Sequence, residues 1–273
     1  MSEPTVIPSA RAKLNRAVEQ FGGLQQEIRR FLESNPYRVE CERDPEADEW
    51  VIVQYPVGDF PDHWTLVLGE IFYNLRSALD HAVYALTILN HGTELDCTEF
   101  PVFSDEARFR DKKKGTGEPT KISGLYRIRG LAKKTQAVIE SLQPFRIKNA
   151  PVGHLSTIAL VNELCNIDKH RTLHLCRFAM SGQSFEPTKS MPFTGDIKLI
   201  IGADPNQRAE LFRWPCWGAT PEEMGMKAKM HLDVAFDERS AVGFTSPQPI
   251  GLICNQLIRG VGEMLDQLEN SVR

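Results

Sequence analysis

The chain has 273 residues, 41% of them hydrophobic and 25% charged, with a formal net charge of −4. That balance belongs to a soluble globular protein with a sizeable core, in one large domain or two modest ones. It excludes a globally basic nucleic-acid binder, so any basic surface must be local.

No apolar run approaches the ~20 residues of a bilayer span, so no membrane partner is expected. MSEPTVIPSA carries no secretory signal pattern. The six cysteines are scattered without a Cys-x-x-Cys pair and read as reduced. These features predict a cytoplasmic protein.

Ser9 is placed to cap a helix running to about Ser34, with Leu14, Val18, Phe21, Leu24, Ile28 and Phe31 at helical spacing. Gly22-Gly23 could kink it. YRVECER and EWVIVQYPV, separated by the turn sequence DPEAD, predict a β-hairpin. Asp62 is positioned to cap a long helix, Trp64–Leu89, which Asn90-His91-Gly92 ends. Cys97 to Gly117 reads as irregular, and RDKKKGTGEP as a mobile charged loop. A short amphipathic helix follows from Gly130 to Gln143, stopped at Pro144.

His154 to about Phe178 reads as a second long helix. From Asp196 the segments DIKLIIGA, AELFRWPCW, KMHLDVAFDE and AVGFT suggest a small antiparallel sheet. Pro249 opens a last helix, striped by Ile250, Ile253, Leu257, Val261, Leu265 and Leu268. Strands and helices are segregated, which predicts an α+β fold. The expectation is one domain, 1–273. A helical bundle core (9–178 plus 249–273) carries an N-terminal β-hairpin and a small antiparallel sheet inserted at about 180–245, before the C-terminal helix. A separate domain beginning near Met180 is the alternative.

The two long helices carry the chemistry. Glu70, Asn74, Ser77 and His81 form a polar stripe on the first, and Glu163, Asn166, His170 and His174 on the second. Asp168, Lys169, His170 and Arg171 point in four directions around their helix, so some must face protein and find partners. The expected arrangement brings the stripes together, with Arg76 or His81 close to Asp168, Asn166 or His170.

Arg76, four intervening residues and His81 resemble the R-x4-6-H motif of HEPN domains, helical modules of many prokaryotic toxin and defence ribonucleases. The resemblance implies a metal-independent RNA endonuclease without cofactor, acting as a homodimer on RNA. Arg76 would bind the scissile phosphate, and His81 would move the 2′-hydroxyl proton. His170 and Arg171 would complete the site, with Asn74, Ser77, Asp80, Asn166, Asp168, Lys169 and His174 in support. Ser77 stands where many members carry Asn, His or Asp. A wider pattern also resembles uncharacterised bacterial proteins of similar length and implies a common fold. Its pieces are Leu75–His81, Phe100-Pro101, Leu142–Pro144 and Asn166–Arg171.

Other readings use the same residues. Arg76 and Asp80 at i, i+4 can form a simple helix salt bridge, and both stripes can be packing networks of a non-catalytic binding or scaffold protein. His170 and His174, one turn apart on a helix, could bind metal with Glu163, Glu70 or His81. Lys112-Lys113-Lys114 with Arg108 and Arg110 could contact phosphates or be solvated. Phe212, Trp214 and Trp217 could stack on bases or pack a sheet. The sequence contains no P-loop, dinucleotide-binding glycine fingerprint or G-x-S-x-G elbow.

Overall fold

The computed structural model describes residues 5–34, 37–56, 60–146, 156–179, 184–186, 198–199, 209–216, 227–229, 232–237, 241, 244 and 246–272. The first helix, α1 (Pro8–Glu33), starts on Pro8, whose fixed φ suits a first helical turn. Ser9 therefore lies inside the helix and does not cap it. Gly22-Gly23 do not interrupt it, because Ala17, Phe21, Leu24 and Ile28 anchor both halves to the core. Val18 points to solvent instead.

The hairpin forms as expected from β1 (Tyr37–Asp44) and β2 (Glu49–Pro56). Asp44 accepts the backbone N–H groups of Glu46 and Ala47 within its turn. Helix α2 (His63–His91) follows and is the central rod of the bundle. Asp62 has helical backbone angles and makes no side-chain cap. Gly92 closes the helix in the left-handed region, φ 87°, and returns its N–H to Ile88.

The next stretch holds two one-turn helices, α3 (Glu106–Phe109) and α4 (Gly124–Arg127), then α5 (Lys133–Ser141), shorter at both ends than its apolar pattern suggested. A 3₁₀ turn, Pro144–Arg146, follows it. The loop expected to be mobile is a closed turn. Thr120 N–H bonds the Asp111 carbonyl at 3.0 Å and Lys113 N–H that of Glu118 at 2.8 Å, with Gly115 and Gly117 at positive φ.

The largest correction concerns the second long helix. Helix α6 is Thr157–His170, capped by Ser156 on the Ala159 N–H at 3.3 Å; His154 lies outside the described residues. Arg171 leaves it in extended conformation, and Leu175–Ala179 is strand β3. Leu173 and Cys176 are buried, a spacing that suits a helix and a chain turning into a sheet alike. Pairing with β8 (Leu232–Phe236) decides the outcome, because it satisfies the backbone of 175–179.

The strands before the C-terminal helix are shared among three sheets. Strand β3 pairs with β8 and β8 with β9 (Gln248–Pro249), all antiparallel. Strand β6 (Ala209–Pro215) joins the N-terminal hairpin along β2, and β5 (Lys198–Leu199) pairs with β6, giving the order β1-β2-β6-β5. Strands β4 (Ser184–Glu186) and β7 (Lys227–Lys229) form a pair of their own. Within AVGFT the described residues, Ala241 and Phe244, are not in a strand. The expectation for the Phe212, Trp214 and Trp217 side chains lies outside the described residues.

The last helix, α7 (Ile250–Asn270), returns to the bundle and packs against α1, α2, α5 and α6. Ile253, Leu257, Val261, Leu265 and Leu268 fill the space beneath them. Phe236 extends this core into the β3-β8-β9 sheet, its ring 5.9 Å from that of Phe72. The chain is thus α+β: a helical bundle with an N-terminal hairpin and a three-stranded antiparallel sheet preceding the C-terminal helix.

Candidate functional site

Helix α2 presents its two polar faces to different neighbours. The stripe of Glu70, Asn74 and His81 meets α1, not α6. Lys13 Nζ donates to Asn74 Oδ1 at 3.2 Å, Asn74 Nδ2 donates to Gln20 Oε1 at 2.9 Å, and Gln20 donates to Glu70. In the first turn of α1, Ser9 Oγ and His81 Nδ1 share a hydrogen bond of 2.6 Å. At the other end Glu27 accepts from His63 Nε2 at 2.6 Å and Trp64 Nε1 at 3.1 Å. The hydrogen bond to His63 is the main cause holding the Glu27 carboxyl below its ordinary range.

The second face carries Gly69, Arg76 and Asp80. Arg76 is not an exposed helix cation; only 13% of its side chain meets solvent. Its Nη1 donates to Asp80 Oδ1 at 2.6 Å and its Nη2 to the Phe100 carbonyl at 2.8 Å. The same Asp80 oxygen accepts the Phe100 N–H at 2.9 Å. The pair therefore grips both backbone groups of one residue. Desolvation pushes the Asp80 carboxyl above its usual range, with Arg76 and the Phe100 N–H pulling the other way.

Gln143, fully buried, grips the same segment from the opposite side. Its Oε1 accepts the Phe103 N–H at 3.0 Å, and its Nε2 donates to the carbonyls of Pro101 at 2.8 Å and Ile139 at 3.1 Å. Gln143 sits in the Leu142–Pro144 piece and bonds the Pro101 carbonyl of the Phe100-Pro101 piece, so these two sequence pieces are in mutual contact.

Of the polar α6 candidates, Asp168 approaches α2, and its neighbour there is Gly69 rather than Arg76 or His81. It lies over Gly69, where a Cβ would overlap the Asp168 carboxylate. Desolvation first, and the Glu70 charge second, raise the Asp168 carboxyl. Cys165, also buried on this side, is raised by desolvation. Asn166, Lys169, His170 and Arg171 are exposed, and His174 is exposed beyond the helix end. Among the described residues no hydrogen bond or ion pair joins His170 to α2. Ser77 is half-buried on the outer side of α2.

The metal reading needed His170 and His174 one turn apart on a helix, and α6 ends between them. Glu163 is half-buried within that helix. Among the described residues no group of three His, Cys, Asp or Glu side chains could hold a metal ion. A shallow hollow of about 530 Å³ lies elsewhere, lined by Val102, Phe103, Arg108, Ile122 and Arg127. Among the described residues no helix is long and apolar enough to cross a membrane. No family model, curated protein or solved structure matches the chain.

Proposed function

We propose that the chain is a non-catalytic binding or scaffold protein whose hydrophilic helix residues fix how the bundle packs. One observation carries this reading. Arg76, the residue a nuclease would aim at phosphate, spends its guanidinium on Asp80 and the Phe100 carbonyl and is nearly closed to solvent. A buried network of this kind favours one packing arrangement and occupies the guanidinium that a phosphate would need.

A second reading is a HEPN-like, metal-independent RNA endonuclease of toxin or phage-defence type, acting as a homodimer in the cytoplasm. It draws support from His81, which is half-exposed and has only Nδ1 engaged among the described residues. That chemistry would require Arg76 to release Phe100. RNA incubation with purified protein in EDTA separates the two. Under the first reading the wild type leaves RNA intact, and Arg76→Ala lowers stability. Cleavage by the wild type, lost in folded Arg76→Ala and His81→Ala variants, would overturn it.

A further inference from the structure

Val102 and Phe103 adjoin the Phe100-Pro101 segment that Arg76, Asp80 and Gln143 grip, and they line the hollow of about 530 Å³. Its size lies within the ~300–1,000 Å³ of small-ligand sites. Ile122 completes the apolar lining and is 71% exposed, more than any other large hydrophobic residue among the described residues. The Phe103 ring is held in place. Its backbone N–H bonds Gln143 at 3.0 Å, the Phe109 ring meets it edge-on at 5.8 Å, and the Arg127 guanidinium lies 5.5 Å from its centroid. A wall fixed in this way loses little freedom when a ligand packs on it.

The charged lining is Asp105, Arg108 and Arg127. Arg127 donates to Glu99, and Asp105 Oδ1 accepts the Ala107 N–H at 2.8 Å. Arg108 differs: among the described residues its guanidinium takes part in no ion pair or hydrogen bond. It also lines a second, smaller hollow of about 210 Å³, again with Ile122. The neighbouring cations are partly spent, Arg110 on Glu106 and Glu140, and Lys113 on Glu118. Even so, residues 105–127 carry seven Lys or Arg against four Asp or Glu, a local charge of +3 on a chain of −4. Anions are drawn to this face of a protein that otherwise repels them.

We propose that the hollow binds a small aromatic carboxylic acid, with its ring against Val102, Phe103 and Ile122 and its carboxylate on Arg108. The planar fork of arginine matches a carboxylate through two parallel hydrogen bonds. One free guanidinium answers one negative charge. A dianion such as a phosphate monoester would bring its second charge into a hollow that Asp105 also lines. The site gives the binding reading above, on which it rests, a ligand class.

Isothermal titration of the full chain with naphthoate should show saturable one-to-one binding. Naphthalenemethanol, which lacks the charge, and acetate, which lacks the ring, should bind at least about tenfold more weakly. Arg108→Ala and Ile122→Ser, both at exposed positions, should keep the circular dichroism spectrum and weaken naphthoate binding by a similar factor. Arg259→Ala, at an exposed arginine of α7, should leave it unchanged. In methyl NMR spectra the Ile122 signal should move during the titration, and that of fully buried Ile158 should stay. Absence of saturable binding, binding that Arg108→Ala leaves intact, or tighter binding of naphthyl phosphate than of naphthoate overturns the site. Failure here is distinguishable from failure of the binding reading, which RNA cleavage overturns.

Discussion

Replacing Arg76 with alanine tests whether this side chain holds the fold or awaits a substrate. The change removes two charge-assisted hydrogen bonds, to Asp80 at 2.6 Å and to the Phe100 carbonyl at 2.8 Å. Such bonds contribute roughly 1.5–3 kcal/mol each. The Asp80 side chain is 32% exposed, so water screens part of the first and can hydrate the stranded carboxylate. Protonation of Asp80, already favoured by desolvation, limits the cost further. The net loss should be about 2–4 kcal/mol, against the ~0.3–0.5 kcal/mol of an exposed i, i+4 pair. Urea unfolding followed by the fluorescence of buried Trp64 and by circular dichroism measures it. Arg76→Ala, Asp80→Ala and the double variant should show a coupling of at least about 1 kcal/mol. An Arg76→Ala protein within ~0.5 kcal/mol of wild type would refute the reasoning and return Arg76 to the candidates for substrate binding.

Three further outcomes follow from the same contacts. Gln143→Ala orphans the Phe103 N–H and the Pro101 carbonyl and should cost about 3–5 kcal/mol in urea unfolding; Gln143→Glu sets a buried carboxylate against the Pro101 and Ile139 carbonyls and should be at least as damaging at neutral pH, with part of the loss recovered in acid. Gly69→Ala gains helix propensity of about 1 kcal/mol but drives a methyl into Asp168. It should therefore destabilise the wild type and be neutral or stabilising in an Asp168→Gly background, as thermal unfolding of the four proteins would show. Glu269 is pushed up by desolvation, but hydrogen bonds from Thr5 and Arg11 outweigh this and hold it below its ordinary range. Its contribution is thus complete above the unfolded value of about 4.3 and lost as pH falls through the lower folded value. Glu269→Gln should flatten that acid limb in unfolding midpoints taken from pH 7 downward.

Periodicity made the helices legible and left their ends obscure. The apolar spacing of α1, α2 and α7 survives into the fold, because each buries one broad face. The continuation of α6 through His174 does not, because Leu173 and Cys176 suit a helix and a strand equally and the deciding partner, β8, lies some sixty residues away. Ser9 and Asp62 look like caps by residue type, yet Ser9 turns to His81 and Asp62 already has helical backbone angles. The polar stripe on α2 was readable as a contact surface. Its partner was not, because Gln20 and Lys13 on α1 carry no pattern that names them. Gly69 beneath Asp168 was equally silent, since a glycine in a helix does not announce what lies over it.

Some eighty residues of chain separate the end of α6 from the start of α7. At ribosomal speeds of about 5–20 residues per second they take roughly 4–16 s to make. Throughout that interval the apolar faces of α1, α2, α5 and α6 that α7 later covers stand open on the nascent chain. This architecture thus closes its interior only once α7 has been made.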